Sequence, residues 1–367
     1  MPVPGRALFQ PVLGSGRSHL PEVDGWRGLA IALVVLFHAA WSDIVTRDAL
    51  LLNPLAVFVT AGNTGVSLFF VLSGFLLGLP WAADEPPPLS SYYAKRVLRI
   101  VPLCWGVLAV GFLVVRPVDF TWPRTLPLAF FLVTTPLPRV ELGAWTTIFW
   151  SISTEVHFYL LLPLVGRVLT SIPRLALLVP LALAFKTGAW YFDPDHLHSA
   201  LETIVGRIDQ FAVGMIIARL HASGRLVLSP RVALALIAGA TALLGCHLWW
   251  LLQLSPTSWV RVPWNTVEGA LWGTLVAATL ALPPEGKRPL TFWPFRHLGV
   301  ISYSVLLWHA PIGAHLLRAV HPWRIAGFPF HLYAVFPAVL AVSTLSYLVL
   351  ERPFLLVARR IGRGARA

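Results

Sequence analysis

Charged residues are scarce in this sequence. Only 12% of the 367 residues are Asp, Glu, Lys or Arg, while 57% are hydrophobic and the mean hydropathy is +0.73. Soluble globular domains carry about 25% charged residues. The composition therefore excludes a soluble globular protein and indicates an integral membrane protein.

Cysteine and acidic residues are also few. The two cysteines, Cys104 and Cys246, lie in apolar runs, which excludes a disulfide framework. Basic residues outnumber acidic ones by 28 to 16, but they form short clusters between apolar runs, as juxtamembrane arginines do. Because no nucleic-acid recognition motif accompanies them, we expect no nucleic-acid partner. The histidines lack the spacing of metal ligands, so we expect no metal.

Apolar runs of about 18 to 20 residues, long enough to cross a bilayer, recur along the chain. They predict an all-α integral membrane protein, a bundle of about ten transmembrane helices. Another run, Leu126–Thr135, is short and flanked by prolines, so we expect a re-entrant or interfacial segment there. The predicted spans lie near residues 27–45, 64–82, 99–116, 148–167, 173–190, 207–220, 232–251, 264–282, 298–318 and 331–350.

The distribution of Lys and Arg gives the chain a predicted orientation. With ten spans, most of these residues fall on one side, which the positive-inside rule assigns to the cytoplasm. We therefore expect a multi-pass protein of the cell membrane with both termini cytoplasmic. The predicted organisation is an N-terminal tail at residues 1–22, a single transmembrane domain at 23–353 and a basic tail at 354–367.

Ionisable residues inside predicted spans are candidates for function, because each costs about 3 kcal/mol to insert. The clearest are His38 and Glu155. Arg27 and His38 are eleven positions apart, close to three helical turns, so they share one helix face roughly 16 Å apart. Arg27 equally fits snorkelling at a helix start, and a lone buried histidine also fits a hydrogen-bonded packing role.

Two arginines mark the predicted inner boundary of the third span. Arg96 and Arg99 are three positions apart on one helix face, a spacing at which guanidinium groups can fork onto phosphate oxygens. Anchoring to lipid phosphates explains the pair equally well.

Ser151 and Glu155 share a face of the fourth span at positions i and i+4. The hydroxyl can support the carboxylate there, and a buried, hydrogen-bonded carboxylate suits proton handling. A structural polar clamp between helices is the alternative interpretation.

These elements together resemble those of the acyltransferase-3 family, bacterial membrane O-acyltransferases that modify carbohydrates, peptidoglycan and antibiotics. The resemblance covers essentially the whole chain, with His157 standing where the family more often has Gln. The matching elements are Arg-x10-His at Arg27 and His38, Arg-x-x-Arg at Arg96 and Arg99, Ser-x-x-x-Glu at Ser151 and Glu155, GVSLFFVLSGFLLG from Gly65, ISYSVLLWHAP from Ile301 and ERPF from Glu351.

The resemblance implies acyl-CoA, with acetyl-CoA foremost, as donor, an essential first-span histidine and paired arginines near a cytoplasmic donor site. His38 would be a general base on the acceptor hydroxyl or an acyl-carrying nucleophile, and we expect Glu155 to lie at the same membrane depth. The expected acceptor is a carbohydrate or a glycosylated small molecule such as an antibiotic, and the expected acyl group is acetyl or short and branched. The candidate residues are His38, Glu155 and Ser151 for catalysis and Arg27, Arg96 and Arg99 for donor binding.

Two other functions fit the same residues. One is a transporter or flippase of an anionic lipid-linked or small-molecule substrate, which would use the arginines as a phosphate site. Transporters usually have helices broken by Gly or Pro at matched positions in two halves, and that pattern is not visible in this sequence. The other is a membrane sensor that binds acyl-CoA without turnover. Membrane lipids are expected partners in every case.

Overall fold

The computed structural model describes residues 19–40, 56–118, 120–169, 171–320, 324–325 and 328–364. This part of the chain is α-helical apart from two short strands, β1 (Arg324–Ile325) and β2 (Phe328–Pro329), which pair antiparallel. The α-helices are, in chain order, α1 (Pro21–Ala40), α2 (Ala56–Thr60), α3 (Thr64–Ala82), α4 (Leu89–Val115), α5 (Trp122–Ala129), α6 (Phe149–Val168), α7 (Ile172–Ala176), α8 (Leu178–Phe192), α9 (Leu197–Leu201), α10 (Ile204–Ala222), α11 (Pro230–Leu251), α12 (Trp264–Ala281), α13 (Arg288–Thr291), α14 (Trp293–Val300), α15 (Ser302–Val320), α16 (Phe330–Ser346) and α17 (Arg352–Gly364).

Short non-α helical turns interrupt or extend these helices. A π-helical turn at Tyr347–Glu351 joins α16 to α17. The 3-10 turns are Gly143–Trp145, Pro194–His196, Trp259–Arg261 and Pro284–Lys287.

Nine of the ten predicted apolar runs coincide largely with helix, and so does the described part of the first run, whose residues 41–45 lie outside the described residues. Helix α3 has the predicted bounds of 64–82, whereas α4 begins at Leu89, ten residues before the predicted start, because the basic segment before the apolar run is helical too. The run predicted at 298–318 is not one straight helix: α14 and α15 meet at an angle of 80°.

The chain is a membrane protein. Six helical segments among the described residues are long and apolar enough to cross a membrane, or seven if the bent pair α14–α15 forms one span. The predicted count of ten spans is not confirmed, and α10 illustrates why, since Arg207, Asp209 and Arg219 lower its hydropathy. The six segments are Thr64–Ala82, Leu89–Val115, Gly143–Val168, Ile172–Phe192, Pro230–Leu251 and Ala334–Ile361.

The short run Leu126–Thr135 includes the end of α5, which has eight residues. At about 1.5 Å per residue, this helix reaches about 12 Å, far less than the roughly 30 Å of a bilayer core. The segment is therefore too short to be an additional helical span.

The described residues fall into two compact units. Unit 1 comprises residues 19–40, 87–149 and 291–364, and unit 2 comprises residues 56–86 and 150–290.

In unit 1, α1 packs against α14, α15 and α16. Two glycines allow α1 and α14 to touch through their backbones: a Cβ atom on Gly28 would lie 1.9 Å from the Phe295 carbonyl oxygen, and one on Gly299 would lie 1.8 Å from that of Asp24. Any larger residue would push the helices apart. This crossing fixes how α1 presents its side chains to the rest of unit 1.

In unit 2, α10 is the central helix and packs against α3, α8 and α12. Its crossing with α3 also depends on glycines, because a Cβ atom on Gly74 would lie 2.2 Å from the Phe211 carbonyl oxygen and one on Gly214 would lie 2.1 Å from that of Val71. The close approach brings the polar residues of α10 into the interior of unit 2.

Candidate active site

Two histidines of unit 1 meet near the end of α1. His309 on α15 has its Nε2 atom 3.3 Å from Nδ1 of His38, and the ring centroids are 4.9 Å apart. His38 Nδ1 is also 2.9 Å from the Val34 carbonyl oxygen, and His309 Nδ1 is 2.7 Å from that of Leu306. A carbonyl oxygen can only accept, so in the neutral rings both Nδ1 atoms carry the proton.

This tautomer determines what each ring can do. With the proton on Nδ1, the Nε2 atom of His38 holds a lone pair and can accept a proton. The lone pair on Nε2 of His309, whose side chain is buried, faces the Nδ1–H group of His38. The pair therefore has the arrangement of a base held by a neighbouring acceptor.

His309 was not predicted as a site residue. Its contact with His38 joins positions 271 residues apart, and helical periodicity reports only contacts within one helix. The one sequence feature that could have indicated a role for His309 is its place in the ISYSVLLWHAP run. The same run supplies Ser302 and Ser304, which contact Arg27 and Glu351.

The predicted donor-site arginines lie in unit 1 as well. Arg27 donates from Nη2 to Oγ of Ser302 over 2.9 Å. Ser304 donates to the buried carboxylate of Glu351 over 2.7 Å, and the charges of Arg99 and Arg27 both act on that carboxylate. Arg27 and Arg99 therefore both lie within electrostatic range of the Glu351 carboxyl group.

Arg96 lies one turn before Arg99 on α4. Its guanidinium carbon is 5.7 Å from the ring centroid of the buried Tyr92, within cation–π range. All three predicted donor-site arginines are thus in the same unit as His38.

Glu155 lies in unit 2 and has two hydroxyl partners. Its Oε1 atom accepts from Oγ of Ser73 over 2.8 Å and from the hydroxyl of Tyr159 over 2.6 Å. Ser151 is buried one turn earlier on α6, and its support of this carboxylate stays a prediction. The common site of Glu155 and His38 also stays a prediction.

A buried ion pair in unit 2 was missed. Lys186 on α8 donates to Oδ2 of Asp209 on α10 over 2.6 Å, with both side chains at most 1% exposed. Thr266 on α12 accepts from Lys186 and donates to the same Asp209 oxygen, so the pair ties three helices together. Both charged residues lie inside predicted spans, where insertion cost already marks them as candidates.

A second buried network in unit 2 joins α3, α10 and α12. Arg207 contacts Oγ of Ser67 at 3.4 Å, and Ser67 in turn donates to Glu268. Gln210 donates to Ser67 over 3.0 Å and to the Asn265 carbonyl oxygen over 2.6 Å. Each charge in this network has an opposite charge and hydroxyl or amide partners close by, which is typical of a clamp between helices.

Unit 1 also contains a small apolar cleft that encloses about 10 Å³, roughly the space of one water molecule. Its walls come from α1, α14, α15 and α16, and all the lining side chains are apolar, Ile31 and Val339 among them. Val35 and Val305 line it too, and each lies about one helical turn from His38 or His309 along its helix.

Among the residues that the structure describes, no group of three or more His, Cys, Asp or Glu side chains could hold a metal ion. The two-histidine contact of unit 1 has no third such ligand there.

Comparison with known proteins gives the family. A family model described as an acyltransferase domain, that of the acyltransferase-3 family, matches residues 20–348. The chain is 29% identical to BcsY of Komagataeibacter xylinus, which is named as a membrane-bound transacylase, over 96% of this chain and 87% of that protein. No solved structure matches the chain.

Two other relatives are named for surface polymers. The peptidoglycan O-acetyltransferase OatA of Listeria monocytogenes is 25% identical over 81% of this chain, which spans half of OatA's length. The exopolysaccharide production protein ExoZ of Rhizobium meliloti is 27% identical over 84% of this chain and 92% of that protein. The match over residues 20–348, together with these relatives, shows that the chain belongs to the acyltransferase-3 family and is an acyltransferase.

Proposed function

We propose that this acyltransferase moves an acetyl or short branched acyl group from acyl-CoA to a hydroxyl of a carbohydrate or of a glycosylated small molecule such as an antibiotic. The observation that carries the proposal is the geometry of His38. Its ring is held with the lone pair on Nε2, in the same unit as three arginines suited to phosphate groups. That combination suits a donor with phosphates at one end and a thioester at the other.

The donor site is assigned to Arg27, Arg96 and Arg99. Arg27 and His38 are eleven residues apart on α1, about 16 Å along the helix axis. Coenzyme A bound by its phosphates at the arginines must extend along such a path for its thioester to reach the imidazole. Acetyl-CoA is the donor that we propose first.

The reaction step follows from the protonation state of His38. Nε2 takes the proton of the acceptor hydroxyl as the oxygen attacks the thioester carbonyl carbon. The new C–O bond forms, the C–S bond breaks, and the thiolate of coenzyme A receives the proton from the imidazolium. The products are an ester and free coenzyme A thiol, with no other reactant required.

The names of OatA and ExoZ favour a carbohydrate acceptor. Glu155, which accepts from Ser73 and Tyr159, is the carboxylate that we propose for proton relay, with Ser151 supporting it.

Release of free thiol tests this function directly. Purified protein in lipid nanodiscs is incubated with acetyl-CoA and an oligosaccharide acceptor, and thiol is measured with a chromogenic reagent. An acyltransferase produces thiol that depends on both protein and acceptor. A transporter of an anionic substrate or an acyl-CoA sensor leaves the thioester intact, and either result would exclude the proposal.

Replacement of Arg99 with lysine is expected to raise the KM for acetyl-CoA about tenfold, because lysine cannot make the paired hydrogen bonds of a guanidinium to a phosphate. The KM for the acceptor should change less than twofold. Arg225→Lys, outside the proposed donor site, is the matched control and should leave both constants unchanged. An equal rise in both constants for Arg99→Lys would assign the arginine to folding or lipid anchoring instead.

We further propose ten spans, cytoplasmic tails at residues 1–22 and 354–367, and a position in the cell membrane. With the exposed Cys246 changed to serine, a cysteine at Gly364 should resist a membrane-impermeant maleimide added to intact cells and react after permeabilisation. A cysteine at Asp195, predicted to lie outside, is the positive control. Labelling of the Gly364 cysteine in intact cells would overturn the proposed orientation.

A further inference from the structure

We infer that His309 is a positioning residue for the proposed reaction: its Nε2 atom accepts a hydrogen bond from Nδ1–H of His38 and keeps the His38 lone pair on Nε2. This inference rests on the proposed function of His38 as the base. His309 itself does not touch the reacting atoms in this assignment.

The acceptor role of His309 follows from its own backbone contacts. Its Nδ1 atom is 2.7 Å from the Leu306 carbonyl oxygen and 3.2 Å from that of Val305, so Nδ1 is the protonated nitrogen. The neutral ring then has only Nε2 left as an acceptor. Because the side chain is 1% exposed and is held by the preceding helical turn, this lone pair has a fixed direction.

His38 shares its Nδ1–H group between two acceptors. The Val34 carbonyl oxygen at 2.9 Å belongs to the same helix, whereas His309 Nε2 at 3.3 Å belongs to α15. The bond to Val34 favours the same tautomer, and the contact with His309 adds a second acceptor from another helix. We therefore expect loss of His309 to impair the base without abolishing it.

The contact with His309 matters most when His38 is charged. Once Nε2 of His38 has taken the acceptor proton, the Nδ1–H group belongs to an imidazolium, and a hydrogen bond from a charged donor is roughly twice as strong as a neutral one. An interaction that strengthens as the reaction proceeds lowers the barrier and acts on kcat instead of substrate affinity. Loss of a histidine that only fills space would not lower kcat selectively while leaving substrate affinity unchanged.

Three variants distinguish a residue that positions His38 from one that only fills space. His309→Leu removes the acceptor, whereas His309→Gln keeps an oxygen that can accept from His38. His315→Leu is the matched control, because His315 lies on α15 with its Nδ1 atom 2.7 Å from the Pro311 carbonyl oxygen and its ring against Trp145. Thermal unfolding checks that each variant is folded.

The inference predicts a tenfold to hundredfold loss of kcat in His309→Leu, with the KM for acetyl-CoA within about twofold, and recovery of at least half of the loss, on a logarithmic scale, in His309→Gln. His315→Leu should retain kcat within about twofold. The double variant His38→Ala/His309→Leu should be no slower than His38→Ala alone, because His309 acts through His38. Equal losses in the Leu and Gln variants, or a further loss in the double variant, would overturn the inference.

A second measurement does not depend on turnover. Nitrogen-15 NMR of histidine-labelled protein distinguishes the two neutral tautomers, and His38 should be protonated at Nδ1 in the unaltered protein and a mixture of tautomers in His309→Leu. An unchanged His38 signal in His309→Leu would refute the positioning role. Failure of thiol release with the expected NMR result would instead contradict the proposed function alone.

Discussion

Replacing His38 with alanine is expected to lower kcat for acyl transfer by about 10²- to 10⁴-fold, the usual contribution of a general base. Its Nε2 atom is the proposed proton acceptor, and the substitution removes it. Donor binding should persist within about twofold, because the phosphate-binding arginines remain. Thiol release gives kcat, and equilibrium binding of a non-hydrolysable thioether analogue of acetyl-CoA gives donor affinity.

The control for this variant is His247→Ala in unit 2, where the imidazole stacks on Trp264 with ring centroids 3.7 Å apart. It removes a partly buried histidine outside the proposed machinery and should leave kcat within about twofold. Retention of more than a tenth of the activity in His38→Ala would show that His38 is not the base. Loss of donor binding parallel to the loss of activity would assign it to folding or binding.

Asp209→Ala is expected to destabilise the protein by about 3–5 kcal/mol, the cost of breaking a buried ion pair by removing one partner. The substitution leaves the ammonium group of Lys186, which is 0% exposed, without its carboxylate 2.6 Å away. Thr266 loses its acceptor on Asp209 as well. Chemical and thermal unfolding in nanodiscs, followed by intrinsic tryptophan fluorescence, should show the loss.

The double variant Asp209→Leu/Lys186→Met is the matched control, since it removes both charges and keeps apolar volume. It should recover most of the lost stability, because well-packed apolar residues often replace buried ion pairs at little cost. If Asp209→Ala unfolds within about 0.5 kcal/mol of the unaltered protein, the pair does not clamp α8, α10 and α12. A double variant less stable than the single one would contradict the same interpretation.

The helices were largely predictable because the bilayer imposes a length and an apolar composition on each segment. Helix α3 has the predicted bounds for that reason. The 80° bend between α14 and α15 was not predictable, because the length and composition of an apolar run do not report whether its helix is straight. The backbone contact of Gly299 with Asp24 holds α14 against α1, and only the folded chain reveals it.

The site was predictable within single helices and not between them. The shared face of Arg27 and His38 follows from helical periodicity alone, whereas the His38–His309 contact depends on how α1 packs against α15. Glu155 shows the same limit: its partner Tyr159 lies at i+4 and periodicity could have suggested it, but Ser73 is 82 residues away.

The ion pair of Lys186 and Asp209 in unit 2 was missed for a related reason. Lys186 and Asp209 each interrupt a different apolar run, and each looks costly by itself. Only their 2.6 Å contact in the folded chain shows that the two charges compensate each other.

Transfer of an isotopic label tests the proposed function most directly. Protein in nanodiscs is given acetyl-CoA labelled with carbon-13 in the acetyl group, together with either a peptidoglycan oligosaccharide or a glycosylated macrolide, and the products are analysed by mass spectrometry. We predict that one acceptor gains the mass of a labelled acetyl group, bound as an alkali-labile ester, with one coenzyme A thiol released for each ester formed. His38→Ala should form both products about 10²- to 10⁴-fold more slowly. Recovery of all the label in intact acetyl-CoA, or appearance of the labelled ester at an equal rate with His38→Ala, would contradict acyl transfer through His38.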